Sequence, residues 1–256
     1  MALGALNVLM IVFMLAPLVL VVWMSFTPDE FFSLPLDTFS LRWYHEAFAY
    51  PGFVEAFVLS ALLALAAATV AVTLGFLAAY ALVRFQFPGR AALDAFFVSP
   101  LLVPAVVLGI ALLQFVNRLG LYNTFAGLLA AHVVVVVPYT VRVIVTALRS
   151  VSEDLEWAAM NLGARRGTML RRITLPLARR GMLAAFLFAF ILSFDEVTVT
   201  IFMTGPAYQT LPIRVYNYLT DQVDPTVAAV STLLILLSGV LVILLDRIVG
   251  LENLGR

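Results

Sequence analysis

Six apolar stretches, each about long enough to cross a bilayer as a helix, alternate with polar breaks along this 256-residue chain. They cover residues 3–24, 53–83, 92–115, 124–148, 181–204 and 225–249, and the pattern predicts a helix over each. The first stretch has no basic leader and no small-residue cleavage site, so it is expected to be retained, with Pro17 as a candidate kink. Residues 25–53 interrupt the pattern with Asp29, Glu30, Asp37, Arg42, Trp43, Tyr44, His45 and Glu46, and read as a polar, aromatic interfacial loop. The second stretch is rich in small residues, among them Ala64, Ala67, Ala68, Ala71 and Gly75, which let helices approach closely in lipid. The third carries Pro100 and Pro104 in its first half. An interruption there either borders a pathway or bends the helix for packing, and the sequence leaves both open. His132, in the fourth stretch, reads as a hydrogen-bonded packing residue rather than a titrating one. Gly205-Pro206 closes the fifth, and residues 211–219 are expected to form a short helix at the outer surface.

The longest polar run separates the fourth and fifth stretches, from Glu153 to Pro176. Glu153, Asp154 and Glu156 lead it and arginines close it, an order that suits the dipole of a short helix. Gly163 is placed to end that helix in a left-handed conformation. Arg165, Arg166, Arg171, Arg172, Arg179 and Arg180 follow.

Composition fixes the class. Hydrophobic residues make up 63% of the chain and charged residues 12%, where soluble domains carry about 25% charged. Mean hydropathy is +1.06. The reading is an all-α integral membrane protein. The formal net charge of zero points away from a nucleic-acid partner. With no Cys there is no disulfide or thiolate chemistry, and all fifteen basic residues are Arg. A nucleotide-binding P-loop needs a Lys, so ATP hydrolysis, if it drives this protein, belongs to another chain. His45-Glu46 starts like a zinc-protease motif, but no His follows at the required spacing, and no G-x-S-x-G elbow occurs. No intramembrane protease or lipid transferase site is evident.

Six helices with an internal N-terminus place twelve Arg on the inner side and only Arg42, Arg118 and Arg214 outside. That bias puts the Glu153–Pro176 run in the cytoplasm. It also makes Asp195 and Glu196 anomalous. Fifteen residues beyond Arg180 correspond to about 22 Å of helix in a core about 30 Å thick. A carboxylate there is costly unless it faces protein or water. With Ser193, Thr198 and Thr200 nearby, either these groups line a cation passage or they form a structural pair held by neighbouring arginines or hydroxyls.

Ala158-Ala159, three residues, Gly163, nine residues, then Ile173-x-Leu175-Pro176 resembles the cytoplasmic loop motif of binding-protein-dependent ABC importer permeases of the type I, six-helix class. The resemblance implies a MetI-like permease fold in which Glu153, Asp154, Glu156, Trp157, Ala158, Ala159, Leu162 and Gly163 form a coupling helix that docks on an ATPase subunit. One position departs: the family usually has Glu directly before the paired alanines, where this chain has Trp157, with Glu156 one residue earlier. Asp195-Glu196, Thr204-Gly205-Pro206 and Leu211-Pro212-Ile213-Arg214 resemble the polyamine (spermidine/putrescine) branch. Relatives of that branch move other small solutes, so an amino acid or opine, a phosphonate, thiamine or ferric iron is the alternative cargo. A cation channel with a carboxylate ring is a rival class that the coupling motif disfavours.

The expected organisation is a first helix and external loop over 1–53, a permease core over 54–249 with the coupling helix at about 153–163, and a cytoplasmic tail over 250–256. The resemblance implies no cofactor or metal on this chain, ATP and Mg on a partner ATPase dimer, a second and different permease chain, and an external solute-binding protein. It also implies a multi-pass location in a bacterial inner membrane, with N-terminus and coupling loop cytoplasmic.

Overall fold

The computed structural model describes residues 2–30, 38–222 and 224–249; Asp37 and the 250–256 tail lie outside them. The described residues are helical apart from turns and one isolated antiparallel bridge between Gly205 and Tyr208. The elements are α1 (Ala2–Met24), α2 (Arg42–Ala49), α3 (Phe53–Arg84), α4 (Arg90–Val98), α5 (Ala105–Arg118), α6 (Phe125–Arg149), α7 (Glu153–Asn161), α8 (Arg166–Met169), α9 (Leu175–Phe194), α10 (Thr200–Met203), α11 (Leu211–Asp221) and α12 (Thr226–Val249). Among the described residues, five helices are long and apolar enough to cross a membrane: Gly4–Met24, Phe53–Arg84, Phe125–Arg149, Arg166–Phe194 and Thr226–Ile248.

Three expectations are corrected. The loop over 25–53 contains the helix α2. Its Trp43 is buried and donates from Nε1 to the Thr27 carbonyl at 2.7 Å, and Arg42 pairs with Glu46 one turn on at 2.6 Å. The third stretch is not one helix: Arg90–Leu102 and Ala105–Arg118 meet at 107°. Pro100 starts a tight turn over Ser99–Leu102, and Pro104, which has no N–H to give, leaves the ladder unjoined before α5. The fifth stretch is helical well before Gly181. α8 passes through a wide turn at Leu170–Thr174 into α9, and Pro176, which has no N–H to give to the ladder, follows directly on that wide turn. The same stretch ends at Phe194, ten residues before the expected end at 204.

The chain divides into two compact units. The first comprises Met1–Val58 and Leu211–Val240. Its centre is aromatic: Tyr218 packs edge-on to Tyr50 at 4.9 Å and against Phe53 at 5.4 Å. The Tyr218 hydroxyl donates to Asp224 at 2.7 Å, and the same carboxylate caps α12 by accepting from the Thr226 amide. Burial, then the bond to Asp224, push the Tyr218 phenol up to about 12, so it remains a donor at any physiological pH.

The second unit comprises Leu59–Thr210 and Leu241–Arg256 and holds the core. Small residues set its geometry. Ala68, Ala71, Ala78 and Ala79 of α3, and Ala178, Ala185 and Ala189 of α9, are buried with Val141, Ile144 and Leu148 of α6. α3 and α6 run parallel: Thr140 donates to the Ala71 carbonyl at 3.1 Å, and further along Arg84 donates to the Val151 carbonyl at 2.8 Å. α9 runs antiparallel to α6, with Gly181 beside Ala147, Tyr139 edge-on to Phe188, and His132 bonded to Ser193. Because α3 and α6 end on the same side, the segment between them must return across the membrane. α4 and α5 therefore make one broken span rather than a re-entrant loop, which brings the candidate crossings among the described residues to six.

Candidate functional site

The polar run forms the helix that its charge order predicts. Ser152 is extended at the N-cap and its hydroxyl accepts from the Asp154 amide at 3.2 Å. At the other end Gly163 adopts φ +88°. The Gly163 amide returns to the Met160 carbonyl at 2.9 Å and the Ala164 amide to Ala159 at 3.0 Å, a glycine-dependent stop. A helix of nine residues is marginal by itself, so its position depends on what anchors it.

The anchor is Glu156. It is buried, and its carboxylate accepts from Arg84 Nε at 3.1 Å and from the Thr174 hydroxyl at 2.8 Å. Arg84 stands at the end of α3. Only 6% of either side chain is exposed. Arg84 also donates to the Val151 carbonyl and reaches the more exposed Glu153 at 3.4 Å. A buried pair with its remaining hydrogen-bonding capacity satisfied in this way holds geometry, and it penalises loss of either partner. Nothing in the spacing of the sequence pointed to Arg84, which is 72 residues from Glu156. The one available signal was an ionisable residue closing a long apolar helix.

Glu156 faces inward, and the next position faces out. Trp157 is 59% exposed and Leu162 90%, with Leu155 also exposed. The Trp at the position where a Glu is usual therefore alters the outer face and leaves the anchor intact. Ala158 is exposed and Ala159 half-buried. Ala159, Leu162, Gly163, Thr168, Arg172 and Ile173 line a cavity of about 330 Å³ beside the end of the helix. Arg172 is the one charged side chain among these lining residues.

The second set of residues surrounds the end of α9. Asp195 takes the C-cap and is exposed; the Glu196 carboxylate accepts from the Val199 amide at 2.6 Å and starts the turn that becomes α10. Neither makes an ion pair with an arginine among the described residues. Ser193 and Thr200 are buried on either side of this break, and His132, 1% exposed, bonds both, Nδ1 to Ser193 at 2.8 Å and Nε2 to Thr200 at 3.0 Å. Thr198 is exposed beside them. The break has a cause: a side-chain carboxylate replaces the helix ladder at Val199, and one imidazole holds both ends. His132 is the hydrogen-bonded packing residue its setting suggested.

The family model described as "Binding-protein-dependent transport system inner membrane component" matches residues 71–251. The chain is 34% identical over 237 residues to the spermidine/putrescine transport system permease protein PotC of Haemophilus influenzae, covering 93% of this chain and 92% of that one. It is 33% identical over 231 residues to the putrescine transport system permease protein PotI of Escherichia coli, covering 87% and 82%. Among solved structures, one of a bacterial alginate ABC transporter, in complex with an alginate pentasaccharide-bound periplasmic protein, is similar in fold. Its TM-score is 0.71 at 15% identity over 96% of this chain and 93% of that one.

Proposed function

The chain belongs to the binding-protein-dependent transport system inner membrane components, and on that premise we propose that it is the permease subunit of an ATP-driven importer carrying polyamines into the cytoplasm. The observation that carries the reading is the anchored α7. Its inner flank is fixed to α3 by Arg84 and Glu156, and its outer flank presents Leu155, Trp157 and Leu162. A rigid lever with an apolar outer face suits transmission of ATPase closure to the bundle. The twelve-to-three Arg bias supports a cytoplasmic α7 and N-terminus. Spermidine and putrescine are named for the relatives, and the carboxylates of Asp195 and Glu196, without an arginine ion pair among the described residues, suit a cationic solute. The chemistry is alternating access and involves no covalent step.

Proteoliposomes containing the purified complex are the test. Spermidine and putrescine uptake is expected to require ATP and to exceed uptake of amino acids or ferric iron. Ala159→Asp is expected to remove uptake while the bundle still inserts, because a carboxylate in an apolar docking contact loses its water without gaining a partner. Normal uptake by a correctly inserted Ala159→Asp chain would sink the docking role. Preference for another solute would leave docking intact and change only the cargo.

ATPases of this class act as dimers, and this chain carries one coupling helix. Pairing with itself would place two copies of Asp195 and Glu196 around one symmetric passage, where like charges repel. The proposed assembly is a heterodimer with a second permease on an ATPase dimer, served by an external solute-binding protein. Native mass spectrometry is expected to find one copy of this chain per complex. Two copies with no second permease would overturn the pairing.

A further inference from the structure

The broken span enters the membrane beside α6 at a cavity of about 380 Å³, lined by Leu82, Arg90, Asp94, Arg142, Val145 and Arg149. We propose that this cavity binds the headgroup of an anionic phospholipid. On α6, Arg142, Val145 and Arg149 recur at i, i+3 and i+7 and so share one face; on α4, Arg90 and Asp94 are one turn apart. Asp94 accepts both guanidinium branches of Arg142, at 3.1 and 3.2 Å. Arg90 donates to the neutral amide of Gln86 at 2.8 Å, and Arg149 has no acidic partner among the described residues. Three guanidinium groups face one carboxylate, which leaves two positive charges in excess in one cavity.

Position selects the ligand. The cavity lies where α3 and α6 end and α4 begins, at the membrane boundary on the side that carries α7. Further into the membrane the same broken span exposes Phe96, Leu101 and Leu102. A phosphate ester with acyl chains satisfies both features, the arginines taking the phosphate and the apolar side chains the tails. A free anion would use only the first. A polyamine would be repelled, so the site is separate from the route proposed for the solute and does not depend on that reading. Basic pockets between membrane helices bind anionic headgroups, and each arginine near an anionic lipid surface is worth roughly fivefold in binding.

Native mass spectrometry of the intact complex, titrated with phosphatidylglycerol, phosphatidylethanolamine or soluble glycerol phosphate, tests this. Phosphatidylglycerol is expected to bind in preference to phosphatidylethanolamine. Arg90→Gln with Arg149→Gln is expected to weaken it about thirtyfold, and Asp94→Asn to hold it at least as tightly as the unaltered chain. If the double variant does not assemble, Arg149→Gln alone, at the exposed end of α6, should weaken it about fivefold. Unchanged binding in these variants overturns the proposal. So does an equal loss in an Arg171→Gln/Arg179→Gln control, at exposed positions outside both cavities, which would mean general surface charge. Binding of glycerol phosphate as tight as that of phosphatidylglycerol would mean a free-anion site and overturns it as well.

Discussion

Replacing Arg84 with Ala is expected to abolish coupled uptake while leaving a fully inserted bundle. The substitution removes the hydrogen bond from Arg84 Nε to Glu156 and that from Nη2 to the Val151 carbonyl, and leaves Glu156 buried with Thr174 as its remaining partner. Breaking one side of a buried pair costs about 3–5 kcal/mol. A nine-residue helix supplies little stability of its own to set against that. The cheapest response is for α7 to swing away or unwind so that Glu156 reaches water. The loss therefore falls on the lever and not on α6 and α9, whose contact surface does not include Arg84. Amide exchange over residues 153–163 should rise by two orders of magnitude or more, about 10²–10⁴-fold for this cost, while exchange in α6 stays slow. ATP hydrolysis by the complex should lose its stimulation by solute. Glu156→Gln should be milder, since it keeps an acceptor for Thr174 and leaves Arg84 with Glu153 and the Val151 carbonyl as partners. Slow exchange in α7 together with normal uptake in Arg84→Ala would show that the helix is held by something else.

The contrast between Arg84 and Gly163 marks how far the sequence could be read. Gly163 was legible because a helix stop is a local event: the residues that need the left-handed turn lie within five positions of it. Ser152, the acidic first turn and the six apolar stretches were legible for the same reason. The Arg84 anchor was not, because its partners come from beyond α6 and the chain must fold before the pair exists. The third and fifth stretches failed differently. Apolar character measures fitness for lipid and says little about whether the backbone stays helical. Pro100 and Pro104 gave a warning that the sequence could not weigh, and the 107° bend decides it. In the fifth stretch, hydropathy runs on past Phe194 through Val197, Val199 and Ile201, but Glu196 takes the Val199 amide and His132 fixes Ser193 and Thr200. Those are tertiary bonds, invisible to any periodicity. Asp195 and Glu196 accordingly sit at a helix end, where a helix ladder no longer constrains them, and not at mid-helix as their spacing from Arg180 implied.

Gly181→Val is expected to collapse the yield of assembled complex, and a methyl removed from the opposite helix is expected to restore much of what Gly181→Ala loses. Gly181 lies in α9 where it crosses α6, and any Cβ there would overlap the methyl group of Ala147. Ala147 has no flexible end to move aside, so the backbones must part. The contact they lose is the most extensive in the second unit, the one that buries Ala178, Ala185, Ile144 and Leu148. In lipid no hydrophobic drive recloses such a gap, because the acyl chains are as apolar as the side chains, and association rests on close packing. A single added methyl in a tight site costs about 1–3 kcal/mol, and the branched Val side chain more. The effect also reaches function, since α6 leads directly into α7 and α8–α9 leads out of it. Gly181→Ala is expected to lower the melting temperature of the complex by roughly 2–10 °C and to reduce uptake with it. In Gly181→Ala/Ala147→Gly the methyl has only changed helices, so most of the stability and uptake should return, and the two substitutions should be strongly non-additive. A Gly181→Ala chain as stable as the unaltered one, or a double variant no better than Gly181→Ala, would mean that this crossing does not set the packing of α6 on α9.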